Sequence, residues 1–99
     1  MTISAAQVRA ARGLVEIDQA TLAAAANVSR NTVVSFEKGQ RVPNPNNVAA
    51  IRSALEAAGV EFIGENGGGA GVRLKFNRRE VEAIDVLENE GGPAKDDDV

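Results

Sequence analysis

The sequence predicts a mainly α-helical fold, a bundle of four to five short helices followed by a small C-terminal β-hairpin. Three observations carry that expectation. Helix-capping residues recur at short intervals through the first 58 residues, with apolar side chains at helical spacing between them. Residues 60–76 then change to short apolar runs around a glycine tract. The 99 residues suffice for one small domain with a single modest core.

The elements follow in order. Ser4 and Gln7 have capping-box spacing and open a first helix expected to reach about Arg12, with Val8, Ala11 and Leu14 or Val15 on its apolar face. Gly13 to Asp18 reads as a loop. Asp18 suits the N-cap of a second helix, about 19–26. Ser29 caps a third, about 30–38, which Gly39 ends. Two prolines make Arg41 to Pro45 a loop. Asn44 or Asn46 then caps a fourth helix to about Ala58, with Val48, Ile51, Leu55 and Ala58 as its buried stripe and Gly59 as its stop. Val60–Ile63 and Val72–Phe76 are strand-like, joined by the glycine-rich residues 64–71. An isolated hairpin is marginal, so the apolar face of the second strand (Val72, Leu74, Phe76) is expected to pack on the fourth helix through Leu55 and Ala58, or to pair with a twin strand across a dimer axis. The domain is thus expected to span residues 1–76, with the hairpin at 60–76. Asn77 to Glu90 has the pattern of a last helix, with Val81, Ile84 and Leu87 or Glu88 on one face. Residues 91–99 read as an acidic, disordered tail.

The stretch QATLAAAANVSRNTVVSFE, residues 19–37, is the most informative. Ala23 is small where two helices must cross closely. Asn27 sits at a turn that needs a left-handed backbone, a conformation Asn tolerates next best after Gly. Val28 and Val33 plug the space between the helices, and Phe36 closes the core behind them. Arg30, Asn31, Val34 and Ser35 are left facing outward. Arg and Asn have the side chains best shaped to read guanine and adenine edges in a major groove.

This pattern, over about Ser4 to Leu55, resembles the Xre-type, or Cro/repressor-like, helix-turn-helix family. The hairpin run from EFI to GVRL also looks like the ending of many small bacterial proteins of that type. The resemblance implies a lambda-repressor-like bundle whose second and third helices form a DNA-reading pair, often in a homodimer. It implies that Gln19 grips a phosphate, and that Glu37 pairs with an arginine of the first helix, Arg9 or Arg12. Two departures stand out. Asn27 replaces the usual Gly, and the loop after the first helix lacks the common aromatic.

The formal net charge of −3 looks wrong for a DNA binder. Its distribution changes that reading. Residues 1–79 hold ten Lys/Arg against six Asp/Glu, net +4; residues 80–99 hold one Lys against eight Asp/Glu, net −7. A basic domain carries an acidic end. With no Cys and no His, disulfides and the ordinary zinc and thiol chemistries are ruled out, and no cofactor is expected. Three aromatics are too few for stacking single-stranded bases. No apolar run is long enough for a membrane span and no signal pattern is present, so a cytoplasmic protein is expected, bacterial or phage-like by the resemblance.

The site expectations are specific. Arg30, Asn31 and Ser35 are the base-contact candidates; Gln19, Ser29, Lys38 and Arg41 are the backbone-contact candidates. Against each stands the bland alternative of a solvated helix face or a simple cap. The glycine tract is followed by a strand rather than a helix, and it lacks a Gly-Lys-Ser/Thr ending, so a hairpin tip is favoured over a phosphate loop. No nucleophile-and-base set exists, so the protein reads as a non-enzyme. The leading expectation is a duplex-DNA-binding transcriptional regulator. Its rival is an antiactivator, a protein that uses the same fold to capture a second transcriptional regulator; low isoelectric point, outward Val34 and the acidic last segment favour it.

Overall fold

A computed structural model of the chain describes residues 2–76. The expected last helix and acidic tail lie outside the described residues. Four helices and two strands follow in order: α1 (Ala5–Val15), α2 (Gln19–Ala26), α3 (Arg30–Glu37), α4 (Pro45–Ala57), β1 (Val60–Ile63) and β2 (Gly71–Leu74).

Each helix begins at a polar cap whose side chain accepts a backbone N–H left without a partner in the first turn. Ser4 and Gln7 form the full capping box. Asp18 accepts from the Thr21 N–H, Ser29 from Thr32 and Asn44 from Asn47. Asn44, not Asn46, is therefore the cap of α4, and Pro45 occupies the first helical position, where its missing N–H costs nothing.

Three helix ends differ from expectation, that of α1 the most. α1 does not stop at Arg12 but runs through Gly13 and Leu14 to Val15. The extra turn lets Val15 reach the core while Leu14 stays 39% exposed. Glu16 ends the helix in the left-handed region, at φ 57°, and the supposed loop shrinks to Glu16–Asp18. α3 and α4 each end one residue earlier than expected, at Glu37 and Ala57.

The core lies where the helices and the hairpin converge. Val8, Leu22, Val33, Ile51, Leu55 and Val60 are fully buried in it. Each such side chain contributes about 1.5–3 kcal/mol over its exposed state. Ala23 and Phe36 are buried as expected, and Val28 packs against the cluster. Ala58 is exposed, because α4 has already ended and the chain is turning through Gly59 at φ 111°.

β1 and β2 are antiparallel, with Val60 opposite Leu74 and Phe62 opposite Val72. Val60 and Phe62 are buried, Val72 is half-buried, and Leu74 and Phe76 remain 40% and 38% exposed. The expected docking of the second strand on α4 is not what is found: β2 lies against α1, and it is β1 that lies against α4. The apolar row of β2 therefore emerges from the core instead of sinking into it. Gln7 locks this arrangement. Its amide nitrogen donates to the carbonyls of Ile63 (3.3 Å) and Gly71 (3.0 Å), one from each strand, while its amide oxygen accepts the Ser4 N–H.

Candidate nucleic-acid interface

The turn between α2 and α3 sets the aim of α3. Asn27 sits at φ 57° and ψ 43°, and its N–H closes onto the Ala23 and Ala24 carbonyls. The chain reverses there without strain beyond what Asn tolerates. Val28 then donates to the Ala23 carbonyl at 3.0 Å, and Ser29 starts α3. Val33 and Phe36 bury one side of α3, which leaves Arg30 and Asn31 exposed and Ser35 half-buried on the other.

A second device fixes α3 from behind. The Glu37 side chain is 3% exposed and meets the Arg12 guanidinium through two bonds, at 2.7 and 3.0 Å. Gln19 donates to the same carboxylate at 3.0 Å, and Arg9 donates to the Glu37 carbonyl. One carboxylate thereby ties α1, α2 and α3 together. Burial alone pushes the Glu37 carboxyl up; the bonds from Arg12 and Gln19 and the nearby charges outweigh it, and the net shift is downward. The same Glu37 bond is the main reason that Arg12 is shifted up. Asp18, at the mouth of α2, is shifted down, chiefly by its bonds to Thr21 and slightly by the Arg12 and Arg30 charges.

Beside the exposed face of α3 runs an open groove of about 310 Å³. Asn31, Thr32 and Ser35 form one wall; Arg41, Asn44 and Asn47 form the other. The structure thus brings Asn31, Ser35 and Arg41 together. Arg30 and Lys38 are exposed at the two ends of α3 and do not line the groove. The Ser29 hydroxyl is occupied in capping, 3.0 Å from the Thr32 nitrogen and 2.8 Å from its hydroxyl. Gln19 is half-buried against Glu37, a bond that uses one of its two amide hydrogens. Sequence reasoning passed over Asn44 and Asn47 because capping already accounted for that stretch. The signal was the NPNN run directly after the α3–α4 loop.

A helix-turn-helix of this geometry has a family. The sequence profile described as helix-turn-helix matches residues 8–61, more than half of the chain. The chain belongs to this helix-turn-helix family. Its type is the Xre, or Cro-like, one, and the four helices with a two-stranded antiparallel sheet agree with a lambda-repressor-like fold. No match was found among curated proteins. As a helix-turn-helix protein of this type, the chain is a DNA-binding regulator in class. Among the described residues, no helix is long and apolar enough to cross a membrane.

Proposed function

We propose that this protein is a sequence-specific, duplex-DNA-binding transcriptional regulator that lays α3 in the major groove. One observation carries the reading: α3 presents exposed Arg30 and Asn31 and half-buried Ser35 along one face while the buried Glu37 carboxylate, bonded to Arg12, fixes its C-terminal end. Arg30 and Asn31 have the donor and acceptor patterns that suit guanine and adenine edges, and Ser35 suits either. Gln19, Ser29, Lys38 and Arg41 contact phosphates and set the register. For Ser29 and Gln19 this role adds to the bonds already described. The −7 balance of residues 80–99 does not oppose the assignment, since +4 remains on residues 1–79.

Selection of binding sites from a random duplex library, followed by fluorescence anisotropy, tests this directly. A defined consensus bound far more tightly than random duplex is expected. Binding that is uniform across sequences, or absent, would remove the reading. The second reading, capture of another regulator, draws on Leu74 and Phe76, which stay exposed beside Arg73 and Lys75. It is favoured if selection fails and a regulator is recovered whose capture is lost on changing Leu74 and Phe76 to Ser.

A further inference from the structure

β2 has one edge paired and one edge open. The Lys75 N–H bonds the Gly59 carbonyl, which carries the ladder one residue past Val60 and Leu74 and fixes its alternation. Gly71, Arg73 and Lys75 turn their backbone groups inward to β1; Val72 and Leu74 turn theirs outward. Among the described residues, nothing bonds these outward groups. An open edge of this kind accepts another extended segment. We propose that the chain supplies that segment itself: residues 79–83 lie back along the outer edge of β2 as a reversible third strand.

The side chains select both the occupant and its register. A two-residue turn at Asn77 and Arg78 sets Lys75 opposite Glu80, Leu74 opposite Val81, Arg73 opposite Glu82 and Val72 opposite Ala83. Each cation of β2 then meets a carboxylate, and each apolar residue of its other face meets an apolar one. A slip of one residue in either direction would put Glu80 or Glu82 opposite Leu74, on the apolar face. The backbone agrees with the same register. The pair that flanks a two-residue turn exchanges both its bonds, so Phe76 must point outward, in step with Val72 and Leu74. Position favours this occupant as well. Only two residues separate Phe76 from residue 79, so closure is intramolecular and proceeds at high effective concentration.

The turn limits the hold. A turn of this length needs a positive φ at both central residues, which Asn77 tolerates and Arg78 resists. The strand therefore closes without locking. Closed, it covers the edge beside Leu74 and Phe76, the exposed pair that capture of another regulator would use, and it lays Glu80 and Glu82 against β2. Opened, it returns that edge to a partner. The third strand is thus a latch on the capture surface, and it stands whichever of the two functional readings holds.

The natural chain has no cysteine, so two introduced thiols report the contact cleanly. Full-length Arg73→Cys/Glu82→Cys and Arg73→Cys/Asp85→Cys are equilibrated with glutathione at low protein concentration, and the disulfide-bonded monomer is measured. The closed loops differ little in length, so register is what separates the two pairs. Directly opposed residues have the Cα spacing that a disulfide needs. The first pair should therefore show an effective concentration several-fold above the second, and Arg78→Gly, which eases the turn, should raise it further. Equal values for the two pairs, or a higher value for the second, overturn the proposal; so does a value that Arg78→Gly leaves unchanged. Hydrogen exchange on chains without the thiols gives an independent reading. The Val72 and Leu74 amides of the natural chain should exchange several-fold more slowly than those of Val81→Pro, which lacks the N–H that Leu74 would accept. Equal exchange at both positions in the two chains would also sink the third strand.

Discussion

Glu37 shows how one side chain can hold a whole interface in aim. It is buried, charged and shared by three helices, so its removal leaves Arg12 facing an emptied site. Glu37→Ala should cost about 1–3 kcal/mol, since Arg12 and Gln19 lose a charged acceptor while water still reaches the half-buried guanidinium; denaturant titration measures it. Acid should have the same effect more gently. The Glu37 carboxyl is shifted down in the folded state, so its contribution is complete above the ordinary carboxylate range. It is lost as pH falls through that range and on through the lower folded value. Stability of Glu37→Gln should therefore vary less across that acid window than stability of the natural chain, and equal slopes would contradict the assignment. Arg30→Ala should cost about 1–3 kcal/mol of specific DNA binding with the fold intact. Anisotropy on the selected operator would show it, and unchanged affinity after Arg30→Ala and Asn31→Ala together would mean that another face reads the DNA.

Helix ends carry most of what was legible at the next scale. Ser4, Asp18 and Ser29 were readable as caps because a short polar side chain before an apolar run has few other uses. The left-handed turn at Asn27 was readable for the same kind of reason. The end of α1 was not. Glu16 holds a left-handed backbone that its residue type disfavours, and only the packing of Val15 accounts for the extra turn. Glu16→Gly should relieve that strain and stabilise the protein by about 1 kcal/mol, read as a raised thermal midpoint. The outward placement of the candidate residues was legible one by one, but the groove they form was not. Asn31 and Ser35 follow from helical periodicity, whereas their meeting with Asn44 and Asn47 depends on the path of the α3–α4 loop. The side taken by β2 was equally hidden, because an alternating strand shows that it has an apolar face without showing which helix receives it. Gln7→Ala should loosen the hairpin and the first turn of α1, which loses half of its capping box, while α4 holds: amides of β1 and β2 should exchange sooner than those of α4, at a cost of about 2 kcal/mol. Equal acceleration across both would mean that the hairpin and the bundle open as one unit.

The whole molecule combines a cationic helix-turn-helix domain with an anionic end. Truncation before Glu80 removes net −7 and should tighten DNA binding most at low salt, where repulsion reaches furthest. Equal affinity of the two lengths at low salt would leave that end no electrostatic role in binding. The amide of Gln7 has a last consequence, for the order in which the molecule comes into being. It joins residues 56 and 64 positions apart in the chain, close to the start and the finish of the described fold. A nascent chain that has emerged only through Glu37 already contains α2, α3 and every partner of the Glu37 carboxylate, yet neither carbonyl that Gln7 binds has been synthesised. Docking of the hairpin on α1 thus waits on the ribosome delivering Gly71, and fragments released earlier are expected to be cleaved by proteases faster than the natural chain.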